Sequence, residues 1–161
     1  MSGAMTTSAV LALLGSAIIG GVFFAFSSFV MKALANLSSS EGIAAMQSIN
    51  VVVLNPSFLG TFTGTAVFSV VAAAFAIKEW VSPSAPFVLA GALLYLVGTF
   101  LVTAFGNVPL NNQLAAVSAA DPEADPLWVS YLDRWMLLNT LRTAAAIAAT
   151  LAILAGLMQD H

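Results

Sequence analysis

Five residues in the last third of the chain carry the clearest chemical pattern. Trp128, Tyr131, Trp135, Asn139 and Arg142 are separated by 3, 4, 4 and 3 positions, the spacing of one face of an α-helix. Along that face the side chains pass from aromatic to amide to guanidinium, and Ala146 and Ala149 continue it with small residues. Aromatic rings stack on flat apolar molecules, an amide both donates and accepts, and a guanidinium stabilises a developing oxyanion. Arg142 falls about two helical turns inside an apolar run, where a charge costs ~2.5–3.5 kcal/mol on insertion scales. Such a charge must face the interior of a helix bundle, a wet cavity or a partner. A bland role is to snorkel to the interface or to pair with Asp133 or Glu41; the general behaviour of intramembrane charges favours a ligand-facing role.

Several asparagines accompany this face. Asn50, Asn111 and Asn112 lie in or beside the two long connections, on the same membrane side as the start of the stripe. Asn55 and Asn107 stand near Pro56 and Pro109 and read first as caps and turn residues. Together the amides would make a polar pocket roofed by the connections and floored by apolar helices, suited to a flat hydrophobic molecule with a few oxygens. The candidate catalytic residues are therefore Arg142 and Asn139. The candidate substrate-binding residues are Asn50, Asn111, Asn112, Trp128, Tyr131 and Trp135. Phe23, Phe24, Phe26 and Phe29 read mainly as packing or lipid contact, with pocket lining as the alternative, and Met31, Met46 and Met136 as core filler. No general base stands out; Asp133 is the nearest candidate in sequence. His161 reads as a terminal tail.

The elements that position these residues follow from charge and hydropathy. Of 161 residues, 60% are hydrophobic and only 7% charged, against about 25% charged in ordinary soluble domains. Mean hydropathy is +1.00 and the formal net charge is −3. No charged side chain falls between Met1 and Lys32, between Glu41 and Lys78, or between Glu79 and Asp121, and Arg142 and Asp160 bracket a fourth uncharged run. A spanning helix needs ~20 apolar residues, so each run holds one. The expected fold is all-α, an integral membrane four-helix bundle in one domain, with spans near 10–31, 57–77, 87–105 and 135–158. The first run lacks a basic start and is longer than a signal-peptide core, so it reads as a retained span.

Between spans one and two, Ser38 followed by Glu41 at the capping-box distance begins a short amphipathic helix carrying Ile43, Met46, Ile49 and Val53. Gly106, Asn107 and Pro109 are expected to interrupt the third helix. Small-residue pairs at Ser16/Gly20, Gly21/Ala25 and Gly60/Gly64 suggest close helix packing and leave room for a homo-oligomer. With an even number of crossings both termini share one side. The positive-inside rule orients the chain poorly, and the acidic second connection leans toward an external face for the long connections.

Several functions are excluded. There is no basic patch for nucleic acid. Cysteine is absent and the one histidine is terminal, so the sequence offers no ligand set for a metal or haem and no cofactor is expected. The expected partners are the lipid bilayer and a hydrophobic small molecule.

FAFSSFVMKAL at 24–34, AMQSIN at 45–50, NP at 55–56, FGNVPLNNQLA at 105–115 and the W-x6-W-x3-N-x2-R pattern at 128–142 occur in an order that resembles the anthrone oxygenase-like (DUF1772) membrane family over nearly the whole chain. The resemblance implies a four-span membrane fold. It also implies a link to members that oxidise anthrones to anthraquinones with O2 in fungal polyketide pathways, whereas many bacterial members have no assigned activity. On that footing Arg142 with Asn139 would hold a phenolate-like oxygen, Asn111 or Asn112 would orient it, and Trp128 and Trp135 would stack on the rings. The alternatives are a non-catalytic membrane binder of a lipid, quinone or other hydrophobic molecule, and a structural membrane subunit.

Overall fold

In long apolar runs every backbone polar group must be satisfied within its own segment, and helices do this. The computed structural model describes residues 1–160 and is all-α, with no strand among the described residues. His161 lies outside the described residues. The helices are α1 (Gly3–Ala35), α2 (Ser39–Val52), α3 (Pro56–Lys78), α4 (Ala85–Ala115) and α5 (Asp125–Leu157), the last preceded by a 3-10 turn at Pro122–Ala124. All but α2 are long and apolar enough to cross a membrane, so the protein is an integral membrane helix bundle. α1 packs on α3 and α5, and α4 packs on the same two helices. Each spanning helix thus lies between two antiparallel neighbours.

Local signals set the helix ends. The Ser38 side chain accepts from the Glu41 N–H while the Glu41 carboxylate accepts from the Ser38 N–H, a complete capping box that starts α2. Asn55 caps α3 by accepting from the Phe58 N–H at 3.0 Å, and Pro56 follows where a missing N–H costs no helical bond. At the end of the bundle that holds the long connections, Gln47 of α2 donates to the carbonyls of Leu114 (2.8 Å) and Val117 (3.0 Å), closing the end of α4. At the other end Ser2 donates through its N–H and hydroxyl to the Glu79 carboxylate, and Gly156 of α5 meets the Ser84 carbonyl and Phe87. Ser2 and Gly156 therefore sit at the same end of the bundle.

Two expectations are corrected. Gly106, Asn107 and Pro109 do not interrupt the third span; α4 continues through them to Ala115. Its turns widen into π-helix at Leu94–Leu101 and Thr103–Asn107, which relieves the clash of a proline ring with the turn before it. α1 has a similar π turn at Phe26–Val30. Neither the Gly60/Gly64 pair nor Gly21 of the Gly21/Ala25 pair marks a packing face inside the bundle: a Cβ at any of the three would meet nothing within 4 Å. Between α1 and α3 a close approach lies at Gly15, where a Cβ would stand 2.9 Å from the Thr65 Cβ.

Gly15→Ala should therefore force α1 and α3 apart and lower unfolding stability in detergent by ~1–3 kcal/mol, the usual cost of overpacking. Gly64→Ala should leave stability unchanged or slightly raised; thermal denaturation of the two variants side by side reads this. The Ser2 hydrogen bonds hold the Glu79 carboxyl below the ordinary carboxylate range. A lowered folded value contributes stability above the unfolded value of ~4.3 that is lost as pH falls through the folded one. Hydrogen exchange over residues 1–6 should accordingly rise as pH is lowered from 5 toward 3 after correction for intrinsic exchange, and Glu79→Gln should show the same raised exchange already at pH 7.

Candidate functional site

All five residues of the α5 stripe are buried, and the inward face continues through Ala146, Ala149, Ile153 and Gly156. Arg142 is 5% exposed. Its guanidinium donates through Nε (3.0 Å) and Nη2 (2.8 Å) to Asn139 Oδ1 and through Nη1 to Thr103 Oγ1 (3.2 Å). The Phe23 ring lies 3.7 Å below the guanidinium carbon, and Trp135 lies 5.0 Å away on its indole face. The expected alternatives, snorkelling or pairing with Asp133 or Glu41, do not describe this geometry, because every acceptor is neutral. Hydrogen bonds to a charged group contribute about 1.5–3 kcal/mol each and a desolvated cation–π contact ~2 kcal/mol. Together they exceed the ~2.5–3.5 kcal/mol insertion cost, so the charge is held without a counter-ion.

Asn139 is the keystone behind it. Its Nδ2 donates to the Phe23 carbonyl at 2.8 Å and to Ser27 Oγ at 2.7 Å, so the amide is orientated by α1 while its oxygen receives Arg142. Thr103 donates its own hydroxyl proton to the Thr99 carbonyl at 2.7 Å, which turns a lone pair toward Arg142. Thr99 in turn donates to the Arg142 carbonyl at 3.2 Å. Ser27, Thr99 and Thr103 all lie in or at the π turns of α1 and α4, segments that recur at functional sites because they offset the hydrogen-bond ladder.

Arg142 borders a cavity of about 170 Å³. Its polar lining residues are Arg142, Thr103, Asn50 and Asn111, and its apolar lining includes Phe23, Phe26, Phe58, Phe62 and Trp135. Phe62 stacks on Phe58 at 5.9 Å and on Phe100 at 5.1 Å between ring centroids, giving an aromatic floor. Asn111 Oδ1 accepts from both the Tyr131 hydroxyl and Trp135 Nε1 at 2.9 Å. With its oxygen occupied, its amide group remains as a donor. The Asn50 side chain lies in the same wall against the Tyr131 hydroxyl. Among the described residues, no carboxylate or histidine lines the cavity.

Of the sequence candidates, the fold therefore brings Arg142, Asn50, Asn111 and Trp135 to one cavity. Asn139 and Tyr131 stand directly behind that lining. Trp128 is one layer further out, stacked on Tyr131 at 5.6 Å. Asn112 is exposed and points elsewhere. Asn107 is buried and donates to the Trp135 carbonyl at 3.3 Å, while its Oδ1 has no partner; it ties α4 to α5 rather than capping a helix. Phe23 and Phe26, for which packing is the favoured reading from sequence and pocket lining the lesser one, both line the cavity; sequence reasoning missed Ser27 and Thr103 as members of the site. Among the described residues no three His, Cys, Asp or Glu side chains come together in a metal-holding arrangement.

Replacing Asn139 alone would leave buried guanidinium donors without an acceptor, whereas replacing both partners by apolar groups removes the unsatisfied charge. Asn139→Leu should lower stability by about 3 kcal/mol or more, by the scale of charged hydrogen bonds. The Asn139→Leu/Arg142→Leu double variant should be more stable than Asn139→Leu. A double-mutant cycle on thermal unfolding in detergent measures this, and additive effects would contradict the coupling.

The family model for anthrone oxygenase matches residues 55–152, a stretch that holds α3, α4, the second connection and the α5 stripe. No curated protein and no solved structure matches the chain. The matched segment covers more than half of the sequence, and the chain belongs to the anthrone oxygenase (DUF1772) family.

Proposed function

We propose that the cavity binds a hydrophobic polycyclic phenol or anthrone as its anion and supports its oxidation by O2 without a cofactor. The observation that carries this reading is the Arg142 guanidinium, which borders an aromatic-lined cavity and bonds only to neutral oxygens. Of the five guanidinium N–H donors, three are used by Asn139 and Thr103, and two are left for an occupant.

The chemistry suits these residues. Loss of a proton from the methylene carbon of an anthrone gives an aromatic anthrolate, whose charge resides largely on oxygen. Arg142 would hold that oxygen, with the Asn111 amide as a second donor, and Trp135 and the phenylalanines would confine the rings. The anthrolate passes one electron to O2, giving a carbon radical and superoxide. These couple at the former methylene carbon and take up a proton to give a hydroperoxide. Loss of water, through O–O cleavage and departure of the remaining C–H proton, leaves the second carbonyl of the quinone. One O2 is consumed, one oxygen atom enters the product and the other leaves as water. Asn139 acts here as a positioning residue, since it touches Arg142 and not the cavity.

The lack of a carboxylate or histidine in the lining favours a second reading, a non-catalytic binder of a quinone or other hydrophobic molecule. Under the first reading the same lack means that the substrate arrives ionised or loses its proton to water.

Membranes containing the protein should consume O2 in the presence of a simple anthrone, one equivalent per quinone formed, faster than protein-free membranes and faster than membranes with Arg142→Ala at equal protein content. The rate should rise with pH along the ionisation curve of the substrate, and a more acidic anthrone should shift that curve down by its own pKa difference. Uptake no faster than both controls would remove the oxidation and leave the binder. A curve unmoved by substrate acidity would point to a base in the protein.

A further inference from the structure

The cavity is walled unevenly. Toward the long connections it is closed by a packed apolar layer built from the end of α1, α2, the end of α4 and the start of α5, with Met46, Leu114, Trp128 and Tyr131 at its centre. Gly42 lets the α2 backbone rest on the Trp128 ring, where a Cβ would come within 2.7 Å of the indole, and Gln47 locks α2 to α4. Toward the side the wall is thin. α2 packs on α4, α5 and the last turns of α1, and not along α3. Where α2 ends and α3 begins, the cavity lining consists of Val53, Leu54, Phe58 and Leu59, and Leu54 is 65% and Leu59 40% exposed.

The chemistry of this gap names the phase outside it. Residues 51–54 read Val-Val-Val-Leu, and Val51 and Val52 are 72% and 68% exposed. A turn of this composition is out of place in water. Lipid excludes a turn whose backbone groups lack partners, and most of the N–H groups of this one have them. The Val53 N–H donates to Ile49, the Leu54 N–H to Val51 and the Leu59 N–H to Asn55, while the Asn55 side chain accepts from the Phe58 N–H and donates to the Val52 carbonyl. The cavity of about 170 Å³, lined at one end by Arg142 and at the other by Val53, Leu54, Phe58 and Leu59, is below the ~300–1,000 Å³ of pockets that bury a drug-sized molecule, so an occupant of that size held at Arg142 extends out past Leu54 and Leu59.

We infer that the occupant reaches Arg142 sideways from the bilayer, through a portal between the end of α2 and the start of α3, and that the site takes membrane-dissolved amphiphilic anions rather than water-borne ones. This rests on the reading of the cavity as a binding site, but not on oxidation. The polar oxygen leads toward Arg142 and the apolar body trails toward lipid between Leu54 and Leu59.

The test uses the full chain in lipid nanodiscs with anthracene-2-carboxylate as the probe, read by energy transfer from Trp128 and Trp135 in a Trp80→Phe background. The chain has no cysteine, so Leu59→Cys and, separately, Leu37→Cys can each be labelled with a bulky thiol reagent. Leu37 is 44% exposed at the turn between α1 and α2, beside the closed roof. The association rate should scale with the mole fraction of probe in the lipid. It should fall at least about tenfold with the label at Leu59→Cys, because entry then requires rearrangement, and change less than about twofold with the label at Leu37→Cys. If Leu59→Cys does not fold, Leu54→Cys takes its place. An unchanged rate with the portal label, or equal slowing from both labels, would overturn the portal while leaving the site. No saturable transfer in the unlabelled protein would overturn both. Failure of anthrone oxidation alone would bear on neither.

Discussion

An unpaired guanidinium inside an apolar bundle is the constraint around which this protein is arranged. Arg142 cannot face lipid, and among the described residues no carboxylate pairs with it. Its charge is held by the Asn139 oxygen, the Thr103 hydroxyl and two aromatic faces. They come from three helices, Asn139 and Trp135 from α5, Thr103 from α4 and Phe23 from α1, and each has to be presented in a set direction. Asn139 is steered by the Phe23 carbonyl and Ser27 of α1, and Thr103 by the Thr99 carbonyl of α4. The relative height of α1, α4 and α5 is thus coupled to one side chain, and the π turns of α1 and α4 lie where those helices meet it.

The rest of the fold keeps that arrangement dry on one side and open on another. α2 is too short to span and would have little reason to fold alone. Its capping box starts it, Gly42 lets it settle on Trp128, and Gln47 fastens it to the end of α4. In that position it supplies Met46, Ile49 and Asn50 to the cavity lining. Asn111 couples the roof to the site, because the one oxygen that receives Tyr131 and Trp135 also fixes the direction of its amide donor.

What was legible in the sequence follows from which signals are local. The α5 stripe was legible because burial on one helix face imposes its period on the residues themselves, and the Ser38–Glu41 cap and the Asn55 cap because capping acts over three residues. Asn111 and Asn112 were indistinguishable, since adjacent helical positions differ by about a third of a turn and only the packing of α4 decides which one turns inward. Ser27 and Thr103 were not legible as site residues, and Phe23 only as the lesser of two readings. The roles of Ser27 and Thr103 depend on π turns, which shift the facing of a helix without leaving a periodic mark. The Gly60/Gly64 motif reports that a close approach is sterically open, not that a neighbour uses it.

The choice of neutral holders for Arg142 bears directly on what the site can bind. A buried aspartate or glutamate would have fixed the guanidinium equally well. An anionic occupant would then have had to displace it or share the cation, and leaving a buried charge uncompensated costs about 3–5 kcal/mol. Asn139 and Thr103 orientate the group while leaving its net charge unspent. A neutral occupant would gain hydrogen bonds from the two remaining donors, whereas an anion gains both those bonds and the charge interaction in a low-dielectric wall. The same logic fits the donor-only amide of Asn111, which adds an N–H and no competing acceptor. Under the proposed reading the site would discriminate by charge at its inner end and by hydrophobicity at its outer end, a pairing that fits an amphiphilic anion drawn from the membrane.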